Sequence, residues 1–289
     1  MKLKTLIYPV LIISLLIGCL SSCNPTEKQL KDDVQETSIS DNCKKVTDLK
    51  KENLKGQVSS IEEKVVWAKH TDNKIFSYNK QGMLLKSDKD GLGTVICEYN
   101  DKGLLVKRSI QLADTEDGCS SSEMEIDGES FFSSAEQTFI YDEEGKLIES
   151  CTGEEKTTYL HTDNGVLAKT VISNDDNTIE DIKSFVYDDK GNLIKKCMGE
   201  NMEIEYCSME YDEDGRVIFE MNPTAHLSNE YNDKGDVSCV KLYFDADPVV
   251  MLFEYEYDHN DNWIIRKRTT PEGELDNVTI RKIEYYDNQ

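Results

Sequence analysis

The sequence predicts an all-β chain: a long antiparallel meander of repeated hairpins, about 16 strands, curled into a barrel-like or spiral sheet. Three observations predict it. A five-residue turn signal recurs about every 21 residues over most of the 289. The residues flanking each signal alternate with period two, the spacing of a half-buried strand. A ribbon of that many strands must roll up, because open sheets rarely exceed roughly ten strands without curling or splitting.

The chain opens on a segment to be set aside from fold reasoning. Lys2 and Lys4 precede an apolar run from Leu6 to Ile17, interrupted by Pro9, which reads as an export signal over residues 1–22 and is too short to span a bilayer as a permanent helix. The run ends in LIGCLSSCN, where Leu20-Ser21-Ser22-Cys23 and Leu16-Ile17-Gly18-Cys19 both resemble the lipobox of bacterial lipoproteins. The resemblance implies diacylglycerol on the thiol of Cys23, with Cys19 the second choice, and a membrane partnership made through the N-terminal acyl chains. Asn24 after Cys23 does not look like the aspartate that retains some lipoproteins at the inner membrane. The expected location is therefore the bacterial outer membrane, periplasmic or surface-facing. Residues 23–45 are polar, with no run able to bury a face, and read as a flexible tether. Residues 46–289 read as a single β domain.

Within that domain the clear copies of the signal run from Tyr78 to Gly82, Tyr99 to Gly103, Tyr141-Asp142 to Gly145, Tyr187-Asp188 to Gly191, Tyr211-Asp212 to Gly215 and Tyr231 to Gly235. Two are worn. His161 replaces the tyrosine in the copy ending at Gly165, and Asp261 replaces the glycine in the copy begun by Tyr257-Asp258. The 42-residue step from Gly103 to Gly145 is twice the usual one and predicts an interrupted copy around residues 112–130. Asp or Asn at the start and Gly at the end are turn chemistry: the short side chain bonds the backbone ahead of it, and glycine takes a positive φ without strain. Six residues before the glycine stand Phe76, Cys97, Phe139, Phe185 and Met209, with Asn229 the exception. The tyrosine falls on the same parity, its ring over the core edge and its hydroxyl directed to water or a turn. After the glycine two apolar residues come in succession, as in Leu84-Leu85 and Leu193-Ile194, which predicts a β-bulge. The other connection of each unit is variable and holds Pro223, Pro248 and Pro271, where a missing amide donor does little harm.

Over about residues 70–262 these copies resemble the tyrosine-aspartate (YD) repeats of Rhs-type proteins, whose hairpins build curved β shells. LKGQVSSIEEKVVWAK, residues 54–69, followed by such repeats, resembles surface lipoproteins of Bacteroides-like bacteria. The chain departs from the Rhs toxins in having neither their very long array nor a terminal effector domain, so the resemblance implies architecture and not toxin encapsulation.

Composition narrows the partners. Setting Lys2 and Lys4 aside with the leader leaves 31 basic against 57 acidic groups, near −26, a field that opposes nucleic acid. Seven cysteines follow the lipobox: Cys43, Cys97, Cys119, Cys151, Cys197, Cys207 and Cys239. Cys97, Cys151 and Cys197 stand where other copies carry apolar groups, and the cysteines read as small hydrophobes; the best candidate disulfide is Cys197 with Cys207, facing each other across a short connection. With no Cys-x-x-Cys, no His-Glu-x-x-His, no Gly-x-Ser-x-Gly and no phosphate loop, no metal, cofactor or catalytic residue is expected. His70, His161, His226 and His259 read as loop residues. DHNDNW from Asp258 begins like a calcium loop but carries Trp263 at the glycine site. The expectation is a non-enzymatic binding or structural scaffold for a protein or glycan partner, with Trp67, Trp263, Tyr243 and Tyr255 either packed in the core or stacked on sugars. The alternative is a glycan-cleaving hydrolase with paired carboxylates on a concave β face.

Overall fold

The computed structural model describes residues 47–113, 124–126, 129–131, 135–174, 176–199, 201–244 and 247–287. Cys19, Cys23, Cys43, Cys119 and the tether lie outside the described residues. A four-residue helix, α1 (Asp48–Lys51), precedes β1 (Val58–Trp67), β2 (Thr71–Tyr78), β3 (Leu84–Lys89), β4 (Gly93–Tyr99) and β5 (Leu105–Leu112). Two short strands follow, β6 (Met124–Ile126) and β7 (Glu129–Phe131). Next come β8 (Ala135–Tyr141), β9 (Leu147–Thr152), β10 (Glu155–His161), β11 (Leu167–Ser173), β12 (Ile179–Tyr187), β13 (Leu193–Met198) and β14 (Ile204–Tyr211). The chain finishes with β15 (Val217–Met221), β16 (His226–Tyr231), β17 (Val237–Tyr243), β18 (Val249–Tyr257), β19 (Trp263–Thr269) and β20 (Leu275–Tyr285).

Eighteen of these strands form one antiparallel sheet in which sequence neighbours pair, and β1 lies between β2 and β20. That last pairing closes the ring, so the meander is a barrel and not an open spiral. The eight turn signals each join a hairpin and supply 16 strands. The other two, β1 and β20, come from opposite ends of the domain and complete the circle. The interrupted copy is corrected: β5 pairs directly with β8, Lys107 opposite Thr138, while β6 and β7 form a separate two-stranded sheet. β6 and β7 therefore add no hairpin to the barrel.

Every signal makes the same reversal. Asn79 Oδ1 accepts from the amides of Gln81 and Met83 at 3.0 Å each, and Asp188 and Asp212 repeat both bonds. The closing glycines have φ between 67° and 87°; Asp261 adopts 60° in their place. The bulge sits one step later than the turn. Tyr78 pairs with Leu84, Tyr99 with Leu105 and Tyr211 with Val217, and in each case the second apolar residue is the extra one. Doubling the apolar residue thus resets the pleat after the turn.

The tyrosine hydroxyl reaches neither water nor a turn in most copies. Tyr99 donates to the Leu84 carbonyl at 2.8 Å, Tyr141 to Leu105 at 2.7 Å, Tyr211 to Leu193 at 2.7 Å and Tyr231 to Val217 at 2.8 Å. Each unit is thereby latched to the bulge of the unit before it. Burial pushes the phenols of Tyr99, Tyr141 and Tyr231 up, Tyr141 to about 12, so they remain donors at any physiological pH. The double variant Tyr99→Phe/Tyr231→Phe should lose roughly 2–3 kcal/mol in urea unfolding, about 1–1.5 per latch, and close to the sum of the single variants because the sites are far apart.

The disulfide expectation is corrected by register. Lys196 faces Cys207 and Cys197 faces Glu205, with a bulge between them, so the two cysteines project to opposite faces. No bond joins them; Cys207 directs its thiol at Glu220, 3.6 Å away. Both are buried, as are Cys97 and Cys239, the small-hydrophobe role. The histidines are corrected in part: His161 ends β10 and His226 begins β16.

The two faces of the sheet differ. With no second layer over the convex side among the described residues, the large side chains buried at alternate positions are those on the inside, while small ones such as Cys197 and Cys239 bury on the other face between longer neighbours. Their clusters are local. One joins Val95, Cys97 and Ile110, another Leu147, Tyr159 and Leu167, another Leu193, Cys207 and Met209, and none bridges opposite walls. Eighteen strands about 4.8 Å apart enclose a circle roughly 27 Å across, wider once the strands tilt, so the barrel is hollow. Outside, the middle of the strands is charged: Lys282 meets Glu62 at 3.2 Å, Lys267 meets Glu256 at 3.5 Å and Lys107 meets Glu136 at 2.6 Å. Exposed apolar residues such as Ile75, Ile96 and Ile280 are interspersed with them.

One mouth carries a strap. Leu49 in α1 donates its amide to Gly82 in the β2–β3 turn at 3.2 Å. Asn53 Nδ2 reaches Asp236 at 2.9 Å, and the Lys55 backbone exchanges two bonds with the Asn262 amide at 2.7 and 2.8 Å. Residues 47–57 thus tie the turns before β3, β17 and β19 together, and Leu49 and Leu54 bury against Val58, Ile61 and Tyr78. The chain enters the barrel at the uniform-turn rim, leaving the variable connections at the other.

Candidate functional site on the inner wall

The most heavily charged part of the inner wall lies where the ring closes, on β18, β19, β20, β1 and β2. Residues directly opposite in an antiparallel pair share a face, so register alone assembles rows. In the first row Glu63 stands between Lys74 and Arg281. Lys74 Nζ lies 3.2 Å from Glu63 Oε1 and Arg281 Nε donates to Glu63 Oε2 at 2.9 Å. Arg281 Nη2 also stands 4.0 Å from Glu52 beneath the strap. The side chains of Glu63 and Arg281 are only 7% and 9% exposed. In the second row Arg266 lies between Thr279 and Tyr255, its Nη2 3.4 Å from Thr279 Oγ1. In the third, Arg268 faces Asn277 and Phe253 and pairs with Asp276.

Aromatic rings separate the cations. Arg281 lies 3.5 Å and Arg266 5.0 Å from the ring centre of Trp263, and Arg268 lies 5.0 Å from that of Trp67. Trp67 stacks on His70 with 5.5 Å between centroids, and its Nε1 donates to Asp72 at 2.8 Å. Trp263, only 7% exposed, is therefore a platform for guanidinium groups and not an open face for sugars. Tyr255 presents its ring edge to Trp263 and donates its hydroxyl to the Val237 carbonyl at 2.6 Å. Tyr243 lies at the far end of β17, opposite His226.

The electrostatics follow from burial and neighbours. Burial opposes the Glu63 carboxylate, but Arg281, Lys74 and Arg266 outweigh it and hold the group down to about 2. Glu52 goes the other way, pushed up chiefly by burial. Burial also lowers the Arg266 guanidinium; Glu63 and Tyr255 oppose that, while Arg281 and Arg268 add repulsion. Among the described residues no carboxylate lies within ion-pair distance of Arg266, and Arg266 Nε and Arg281 Nη1 are buried without a hydrogen-bond partner. The patch is thus locally cationic inside a chain of net charge −24.

The turn residues named from sequence do not assemble into this site; they line one rim as architecture. Sequence reasoning found Trp263, Tyr255 and Trp67 but passed over Glu63, Arg266, Arg268 and Arg281. The available signal was parity: Arg266 and Arg268 in WIIRKRT share a face, an unusual load for the buried side of a strand. A separate cleft of about 350 Å³ opens at the strap rim between Gly56, Gln57, His259, Asn260, Tyr285 and Tyr286. Among the described residues no group of three or more His, Cys, Asp or Glu side chains is placed to hold a metal ion.

No protein-family model and no curated protein matches the chain. Solved structures do match. A porin-like protein from Bacteroides uniformis is similar over 78% of this chain and 98% of its own, with 11% identity and a TM-score of 0.42. A porin-like protein from Bacteroides vulgatus is similar over 79% and 98%, with 9% identity and a TM-score of 0.31. The TcdB2–TccC3 complex matches 73% of this chain with 13% of its own length, at 13% identity and a TM-score of 0.30.

Proposed function

We propose that this protein is a non-catalytic binding module: a hollow, water-facing β shell, tethered to the outer membrane by acyl chains on Cys23, that receives a glycan partner on its inner wall. The observation that carries the reading is the charged mid-strand belt on the outside of the barrel. A barrel standing in lipid needs an outward apolar band about 25 Å tall, and each Lys or Arg near the midplane costs roughly 2–4 kcal/mol. Lys282, Lys267 and Lys107 with their partners put charge where that band would be. The membrane association is therefore assigned to the lipobox, and the uniform rim, where the chain enters at Thr47, faces the membrane. The variable rim and the lumen face away from it.

The non-catalytic part rests on the inner carboxylates. Glu63 is held ionised between Lys74 and Arg281, so it has neither a free oxygen to act as nucleophile nor a proton to give.

Cys23→Ala tests the tether. The full-length variant should leave the membrane fraction almost completely and appear in the soluble exported fraction, with its circular dichroism unchanged. Retention in the membrane after alkaline carbonate washing would mean that the barrel itself is inserted, and the reading would fall.

A further inference from the structure

We propose that the Arg266–Arg281 patch on the inner wall is an anion-binding site, and that it takes the carboxylate or sulfate group of an acidic sugar. The inference rests on the binding-module reading and names the ligand class of the same wall. Its basis is a missing counter-charge. Arg281 shares Glu63 with Lys74, and Arg268 has Asp276. Arg266 lies between them with Thr279 and Tyr255 as side-chain hydrogen-bond partners and Glu63 attracting it from farther off, but no carboxylate within ion-pair distance among the described residues. A largely desolvated cation with no close counter-ion is unfavourable, and two N–H groups, Arg266 Nε and Arg281 Nη1, stand without acceptors on guanidinium groups that both lie against the Trp263 ring. The Arg281 side chain is nine-tenths buried, while Arg266 stays half-buried and open to the hollow interior.

The ligand class follows from the surroundings. A guanidinium fork matches carboxylate and sulfate oxygens two at a time. The half-buried rings of Phe253 and Tyr255 beside it suit the apolar faces of sugar rings. Net charge −24 repels polyphosphates over long range, whereas a polymer with isolated acidic sugars carries little charge per length. The cationic patch then selects such sugars from neutral ones after entry.

The test uses the full chain purified in detergent, as wild type, Arg266→Met and Arg266→Lys. Thermal unfolding and tryptophan fluorescence are followed with a galacturonic acid tetramer, a sulfated disaccharide, a neutral galactose tetramer and oligoglutamate. Wild type should show a saturable rise in Tm of several degrees with one or both acidic sugars, and the stronger of the two identifies carboxylate or sulfate. The neutral tetramer should do nothing, Arg266→Lys should bind at least tenfold more weakly, and Arg266→Met should lose the response. Ligand-free Arg266→Met should also melt higher than wild type, because an uncompensated charge has been replaced by an apolar chain of similar length; a structural guanidinium would give the opposite. Equal response to neutral and acidic sugars, a response that survives in Arg266→Met, or preference for oligoglutamate overturns the proposal. If Arg266→Met does not fold, the wild-type charge selectivity and the Arg266→Lys affinity decide. Failure of the acidic-sugar response while Cys23→Ala still releases a soluble shell sinks this site alone. Retention of Cys23→Ala in the membrane sinks the tethered-module reading alone.

Discussion

Glu63→Gln is expected to destabilise the barrel by about 3–5 kcal/mol, the usual cost of removing one partner from a buried ion pair. Glutamine preserves shape but removes the charge that compensates Arg281 on one neighbouring strand and Lys74 on the other. Buried Arg281 would then keep only Glu52, 4.0 Å away, and half-buried Lys74 would lose its partner, next to Arg266. Urea unfolding of the two proteins at pH 7 measures the difference. Its pH dependence is a second, independent readout. The Glu63 carboxyl titrates at about 2 in the folded protein against an ordinary value of 4.5, so the folded state binds this proton less readily than the unfolded one. Its contribution is fully present above about pH 4.5 and is lost as pH falls through 2. The stability gap between wild type and Glu63→Gln should therefore be constant near neutrality and shrink below pH 4.5. Glu52 acts with the opposite sign, because its folded value is raised: acidification relieves it. Glu63 is one of the groups that raise it, so this opposite contribution is smaller in Glu63→Gln and cancels only in part. A gap that stays flat down to pH 3 would show that the fold does not hold the Glu63 carboxyl below its ordinary value.

Removing β20, by ending the chain at Glu274, should have the largest effect of all. The strand pairs with β1 over Val58 to Trp67 and with β19 over Ile265 to Thr269. Its loss opens the ring and bares two long edges. Edge strands left unpaired recruit other chains. Arg281 and Thr279 leave with it, so Glu63 keeps only Lys74 as a close partner. The truncated protein should lose its cooperative unfolding transition and elute as soluble oligomers or aggregate in size-exclusion chromatography with light scattering, while retaining β-type circular dichroism from the surviving hairpins. A monomer with a sharp transition near the wild-type Tm would show that the barrel does not depend on closure.

Much of the fold was legible because its cause is local. An Asx residue bonding the two amides ahead of it and a glycine at positive φ fold back a five-residue segment without outside help, and both are written in the letters of each copy. The doubled apolar residues announced the bulge for the same reason. Where the copy is worn the geometry persists: Asp261 accepts a positive φ, one of the few non-glycine residues to do so here, held by Asp258 accepting from the amides of Asn260 and Asn262. The double step was misread because spacing alone cannot distinguish a hidden hairpin from an insertion that the sheet bypasses. Cys197 and Cys207 were paired on proximity, and a single bulge put them on opposite faces. The tyrosines were placed on the correct parity, but their hydroxyl acceptors lie on the preceding unit and were beyond any single-copy reading.

By itself the sequence determined the element type, the eight repeat hairpins, their antiparallel order and the need for curvature. Each of these follows from interactions among residues close along the chain. Only the tertiary structure decided that the curve closes and that the wall at the seam is cationic. Val58 to Trp67 meets Asn277 to Tyr285 across more than 200 residues, and no short-range preference specifies such a pairing. Likewise, Glu63, Arg266 and Arg281 carry no meaning singly. Their energies depend on which strand lies alongside and on how little water remains there, because a buried charge is governed by its nearest opposite charge.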